Sequence, residues 1–421
     1  MKVLQFTKFY LSTLLILVIF TSCARENSAF TLLPQEKEIE LGKLYLPISI
    51  DEFEGLYPEE RVQNYLQNLG KRIAQHAERK VPFNFYLVNS EVINAFALPG
   101  GPVVITRGIF LTLNSESELA GILAHEIGHI ERRHHAKFVE KQLALNLLLQ
   151  IGSYLLPQNL TGELLFQLGQ ISAGLLSLKF SRDQEKEADE TGFYLLLKAH
   201  YSPEGMLRVF EKFKKMSETR PPEWLSTHPL PETRIKEWEK RLSTLKPSGS
   251  FIKNSSSFEE ILSLLKETQP SFEEVKKGKK ALQERDYSKA EIYFLKAIEL
   301  YPKNIPALIN LSRLKFKNKD YLSARNYALT ALKYNPDLFS GYYLAGLSEF
   351  ALNNWKDSLH YFERAKALVP FEGSTYYYCG RNYENLQNYS QALANYKKAL
   401  EIGPKNASWY QDCYIRYQRL R

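Results

Sequence analysis

Apolar positions along the chain change their period twice. From residue 34 to 80 they recur at helical spacing, and in "EERVQNYLQNLGKRIAQHA" Val62, Tyr65, Leu66, Leu69 and Ile73 share one face. Pro82 ends that pattern, and "FNFYLVN" (83–89) alternates in the manner of a strand. "NAFALPGGPVVITRG" (94–108) follows, with Pro-Gly-Gly-Pro as a turn and Val103–Arg107 as a second short strand. Pro102 has no N–H to give a ladder, which predicts an edge position. A helix is then expected from Ser115, with Glu118 three residues on as a capping box. Residues 141–180 are strongly apolar but interrupted by Gly, Gln, Asn and Pro157, which predicts a buried or interfacial helical pair rather than a membrane span. A further helix opens at Ser181.

Beyond Leu245 the segment "KPSGSFIKNSSS" has linker composition, and we place a linker over 246–270. A third regime then begins. Pro302, Pro336, Pro370 and Pro404 are 34 residues apart, and Tyr287, Tyr321, Trp355 and Tyr389 keep the same step. So do Ala290, Ala324, Ser358 and Ala392, and again Ala297, Ala331, Ala365 and Ala399. A helix–turn–helix period of this length resembles the tetratricopeptide repeat, so residues 271–421 are read as four repeats with a polar capping helix over 406–421. Gly278, Gly346 and Gly380 fall where the two helices of a repeat must approach closely, and Ser312 takes that place in the second copy. Of 26 tyrosines, most lie in this region and are expected in the repeat core, with Tyr342, Tyr343, Tyr376, Tyr377 and Tyr378 on first helices that usually line a concave groove.

Composition adds compartment. Lys2 and Lys8 precede an apolar stretch, Phe9–Phe20, that is too short to span a bilayer, so residues 1–22 read as an export signal. It ends in "FTSC", resembling a lipobox that would lipidate Cys23, although Phe20 stands where such sites usually carry leucine. Only Cys379 and Cys413 remain beyond it, too few for a disulfide scaffold: buried thiols, or one bridge. Net charge is +8, and residues 271–421 carry the excess with 24 Lys+Arg against 15 Asp+Glu. A spread excess suits acidic surfaces such as anionic headgroups, and without a basic block or motif nucleic acid is not an expected partner.

The chemistry lies in "GILAHEIGHIERRHH" (121–135). His125 and His129 are four apart, so on a helix both imidazoles leave one face, as two zinc ligands require; Glu126 stands beside them to take a proton from water that the metal activates. For a third ligand, His135 has the metzincin spacing, but Arg132 occupies the place of the glycine that would turn the chain. The helix is expected to continue, leaving His134 and His135 at the surface. Glu185 is the better candidate, with Asp189 one turn on to orient a ligand histidine from behind, while Glu187 points the opposite way.

"HEIGH" followed by "SRDQEKEAD" resembles the HtpX/BepA-like zinc metallopeptidases, a gluzincin-type group of membrane and envelope quality control. The resemblance covers roughly 35–240, and the repeats match its BepA-like branch. It implies an α+β metallopeptidase domain (23–245), mostly α with a small β-sheet, followed by an α-helical repeat solenoid. It implies one zinc per chain on His125, His129 and Glu185, with Glu126 as general base and Asp189 behind the ligands. "NAFALPGGPVVITRG" is similar to the family's edge-strand segment, which makes Asn94, Val103, Val104 and Ile105 candidate substrate-binding positions. "LSTHPLPETRIKEW" is similar to its late active-site motif, which makes His228 and Arg234 candidate substrate or oxyanion contacts. His228 has two readings: a latch on the open metal position, or an oxyanion donor. The implied function is degradation of misfolded or stalled envelope proteins from a lipid-anchored periplasmic position, with the outer-membrane β-barrel assembly machinery as partner. A repeat scaffold with little proteolysis, or a membrane-embedded protease, are the alternatives.

Overall fold

The computed structural model describes residues 33–142, 171, 174–175, 177–219, 221–230, 232–245 and 250–421. The expected signal, Cys23 and most of the apolar 141–180 pair lie outside the described residues. Gln35–Arg421 form one compact unit.

Two helices open it, α1 (Gln35–Glu52) and α2 (Glu60–Ala74). The apolar stripe of α2 buries Val62, Leu66, Leu69 and Ile73, with Tyr65 partly covered. A three-stranded sheet follows: β1 (Asn84–Val88), β2 (Ala95–Ala97) and β3 (Pro102–Thr106), in the order β1–β3–β2. β3 pairs parallel with β1 (Phe85 with Val103) and antiparallel with β2 (Phe96 with Val104). It is therefore the central strand, and the expectation of an edge from Pro102 is corrected. Proline is tolerated as the first residue of a strand because its missing N–H lies before the ladder. Val103, Val104 and Ile105 are buried and paired on both sides, so they do not offer the backbone to a substrate as expected.

The sheet's two margins differ. Gln63 and Gln67 of α2 accept from the N–H groups of Leu87 and Phe85 at 2.9 and 2.7 Å, so side chains cap the outer side of β1. No described strand pairs with the outer side of β2.

After the single turn α3 (Arg107–Phe110), α4 (Glu116–Glu131) runs through the core, buried along nearly its whole length. Ser115 caps it, while the Glu118 carboxylate reaches back to the Asn114 N–H at 2.9 Å, one residue beyond the expected box partner. Around α4 pack α5 (Arg182–Lys198), α6 (Glu204–Met216), the short α7 (Trp224–Thr227) and α8 (Glu232–Ser243).

The expected linker over 246–270 is overturned in its second half. One helix, α9 (Ser256–Gln283), occupies 256–270 and runs on into the first repeat. Ser255 caps it, so the serine-rich run is a helix start. Phe258, Ile261 and Leu265 of α9 belong to the same core as α4, with Phe258 stacked on Phe110 at 5.6 Å.

Helical hairpins follow: α9 with α10 (Tyr287–Leu300), α11 (Ile305–Lys317) with α12 (Tyr321–Tyr334), α13 (Phe339–Ala351) with α14 (Trp355–Leu368), α15 (Gly373–Asn385) with α16 (Tyr389–Ile402), and the cap α17 (Tyr410–Leu420). A Cβ on Gly278, Gly346 or Gly380 would meet the ring of Phe294, Phe362 or Tyr396 at 2.5, 3.0 or 2.6 Å. Ser312 instead donates to the Ala324 carbonyl at 2.7 Å. Arg285, Lys319, Asn353 and Gln387 each turn the chain between the paired helices at φ near 62° and keep the 34-residue step without a glycine. Cys379 and Cys413 are buried and free, so the open question of a bridge is settled in favour of thiols.

The first repeats rest on the core around α2 and α4. Tyr57 stacks against Phe272 and Tyr301, each at 6.3 Å, and the Arg107 guanidinium lies 3.7 Å over Phe272. Glu59 accepts from Tyr301 and Lys303, and Asp51 accepts from the Ser340 N–H at 2.8 Å. The end of α1 thus faces first helices of the repeats, enclosing with Ile305, Ile309 and Arg313 a cavity of about 250 Å³.

Candidate metal centre

Helix α4 turns the Nε2 atoms of His125 and His129 toward one another, 3.1 Å apart. Helix α5 crosses α4 at Gly128, where a Cβ would come within 2.6 Å of the Ala188 carbonyl oxygen, so only glycine admits this approach. The crossing delivers Glu185: Oε1 lies 3.4 Å from His129 Nε2 and Oε2 3.7 Å from His125 Nε2. His228 enters from the residue after α7, with Nδ1 3.0 Å from Glu185 Oε1 and 3.2 Å from His125 Nε2. Its ring stacks on Trp224 at 4.6 Å and 19°.

One donor atom from each of His125, His129, Glu185 and His228 lies within 4.8 Å of the others, and all four residues are buried. Bonds of about 2.1 Å in a tetrahedron would set such donors about 3.4 Å apart. The donor set therefore fits a divalent metal with nitrogen and oxygen preference. Glu126 borders the cluster. Its Oε1 accepts from Trp224 Nε1 at 3.2 Å and lies 3.6 Å from His228 Nε2, while its buried Oε2 has no hydrogen-bond partner among the described residues. Burial pushes its carboxyl up from the ordinary value, which suits a proton acceptor.

Behind the cluster, Asp189 Oδ1 lies 3.0 Å from His125 Nδ1. Arg234 grips Asp189 through Nε (2.7 Å) and Nη2 (2.8 Å), donates to the Pro229 carbonyl at 2.8 Å, and contacts Glu185. Burial would raise both carboxyls, but their neighbours prevail: Glu185 is held well below its ordinary value by its interactions with His228 and Arg234, and Asp189 is lowered by Arg234 and its bond to His125. Arg234 is thus committed to two carboxylates and a carbonyl, not the free oxyanion contact expected from the motif.

The expectation for the histidine pair is also corrected. Helix α4 ends at Glu131, and Arg133 breaks it at φ 56° before helix resumes at His134. His134 and His135 are buried, not superficial. His134 Nδ1 lies 2.9 Å from His129 Nδ1, and its Nε2 lies 3.0 Å from the half-exposed Glu187. Burial pushes the His129 ring well below its ordinary value and takes His135 down to about 3.

Sequence reading also missed Trp224 and Phe180. Trp224 supports both His228 and Glu126, and Phe180 lies 4.0 Å from the His129 ring. Only the tryptophan four residues before His228 carried a visible hint. Asn94 is buried and accepts from the Ala95 N–H at 2.9 Å.

Residues 60–242 match the model of Peptidase family M48, and 276–304, 309–373 and 373–406 match tetratricopeptide repeat models. A beta-barrel assembly-enhancing protease of Yersinia pestis is 35% identical over 236 residues, 52% of this chain and 47% of that protein. Its namesake in Escherichia coli (strain K12) is 34% identical over 234 residues, with the same coverage. The chain spans about half the length of the curated relatives it matches. Among solved structures, MamA aligns with 34% of this chain and 83% of its own at 21% identity and a TM-score of 0.32.

Proposed function

Starting from a chain that carries a Peptidase family M48 domain followed by tetratricopeptide repeats, we propose a zinc-dependent metalloendopeptidase of the bacterial cell envelope that degrades misfolded or stalled proteins. The observation that carries this reading is the buried four-donor cluster beside Glu126, whose Oε2 has no hydrogen-bond partner among the described residues.

His125, His129 and Glu185 would hold one zinc per chain, which when bound would supply Lewis acidity toward the peptide carbonyl and water. Glu126 takes the proton of the attacking water and returns it to the leaving amine, and Trp224 keeps the carboxylate aimed. Asp189, itself fixed by Arg234, holds His125 with Nε2 toward the cluster. An extended substrate pairs along β2, the strand with an unpaired side among the described residues. Such pairing reads little sequence and suits unfolded clients.

His228 closes the cluster as a fourth donor and keeps the enzyme latent until it swings away; its position between Glu185 and His125 favours this latch over an oxyanion role. The repeats select the client, and the names of the similar proteases point to the outer-membrane β-barrel assembly machinery as partner. A client in their groove would share it with the end of α1, which faces Ser340 there. We place the protein in the periplasm, anchored through a lipidated Cys23. No described helix is long and apolar enough to cross a membrane.

Cleavage of an unfolded model protein by the full chain tests this reading. A chelator should abolish it, and Glu126→Gln should abolish it while zinc stays bound. Activity that survives both removes the metallopeptidase. In the same assay, with zinc content unchanged, His228→Ala should raise basal cleavage; a fall of ~10²–10³ would reassign it as an oxyanion donor.

A further inference from the structure

We propose that His134 is a positioning residue that fixes the ring of His129 for metal binding, as the middle member of a hydrogen-bonded relay running from His129 to Glu187. It rests on the metal reading above.

The direction of the relay follows from proton counting. His129 turns Nε2 into the cluster, 3.1 Å from His125 Nε2 and 3.4 Å from Glu185 Oε1. Ligation through Nε2 needs the lone pair there, so the ring proton must sit on Nδ1. That atom lies 2.9 Å from His134 Nδ1, and two ring nitrogens at this separation share one proton. His129 Nδ1–H therefore donates and His134 Nδ1 accepts. The proton of His134 is then on Nε2, which donates across 3.0 Å to the Glu187 carboxylate. Each bond fixes the tautomer of the next, and the chain ends on an acceptor that needs no proton of its own.

The backbone is shaped to permit this. On a continuous helix, a residue five positions after His129 would point well away from it, at about 100° per residue. The positive φ at Arg133 ends that course and brings His134 back against His129. Left-handed backbone is unfavourable for an arginine, because it brings Cβ too close to the following carbonyl oxygen. Glu38, buried on α1, helps hold the break by accepting from Arg133 Nε at 3.2 Å and from both Arg79 terminal nitrogens. Phe180 lies against the rings of both relay histidines, at 4.0 and 6.0 Å.

His125 has the same kind of support in a different chemistry, Asp189 backed by Arg234. The two ligand histidines are thus oriented by separate devices. One ends in a buried ion pair. The other ends at a carboxylate whose side chain is 49% exposed.

Zinc affinity of the full chain, measured by competition with a chromogenic chelator, tests the proposal. His134→Phe should weaken zinc binding by about 10–100-fold, the usual effect of losing a partner of a ligand histidine. His134→Asn places a carbonyl oxygen near the lost Nδ1 and should restore most of that loss. Nitrogen NMR of the ring-labelled, metal-free protein should show a protonated His129 Nδ1, retained in His134→Asn and lost in His134→Phe. Parent-like affinity in His134→Phe overturns the relay, as does equal weakness in both variants, which would mean mere packing. A parent chain that takes up no zinc overturns the metal reading and the relay together.

Discussion

The repeats and the peptidase core solve the same problem, close packing of helices, by opposite means. In the repeats one close approach recurs at a fixed step of 16 residues: Gly278 meets Phe294, Gly346 meets Phe362 and Gly380 meets Tyr396. In the core the close approach joins distant segments. Gly128 meets Ala188, and His228 reaches His125 from 103 residues away. A fault in the first should stay in its own repeat and the adjoining ones. A fault in the second should spread to the metal site, because one crossing places several donors at once.

The sharpest challenge to this division is Phe258→Ala. The residue lies on the helix that becomes the first repeat, yet it is buried in the peptidase core. Loss of its ring should cost about 3–5 kcal/mol of peptidase stability in denaturant unfolding of the full chain. A cost confined to the repeats would move the boundary. Asp189→Asn comes next: it keeps an acceptor for His125 but leaves the buried Arg234 short of a charge. Zinc affinity should fall about 10–100-fold, with the repeats melting unchanged. Gly346→Val should have the smallest reach. It forces a side chain against Phe362 and should destabilise the repeats by about 1–3 kcal/mol while zinc affinity stays at the parent value. Loss of zinc in that variant would show the two regions to be coupled.

The same contrast explains what could be read from the sequence. The repeats were legible because four registers check one another, and helix boundaries followed from the 34-residue step. The histidines of "HEIGH" and the carboxylates of "SRDQEKEAD" were legible because spacing on one helix fixes which side chains share a face. Positions set by tertiary contact were not. Pro102 reads the same at an edge and at the first residue of a central strand, and only pairing on both sides of β3 distinguishes them. The serines before Phe258 have the composition of a linker and of a helix cap alike. The break at Arg133 has no local signature, since an arginine adopts φ 56° there in a turn anchored by Glu38, a residue far away in sequence. His134 was lost to sequence reading with it, and so was the commitment of Arg234 to carboxylates that only the α4–α5 crossing supplies.

The helix α9 has a consequence for how such a chain can change over generations. Its first half is a wall of the N-terminal core and its second half is the opening helix of the solenoid. Duplication or deletion of repeats at that junction would therefore cut into the core that holds the metal-ligand cluster. Helix α17 packs on the hairpin of α15 and α16, with Cys413 and Trp409 against Tyr377 and Tyr396. Variation in repeat number should accordingly spare the root at α9, so the solenoid changes length outward from a fixed origin.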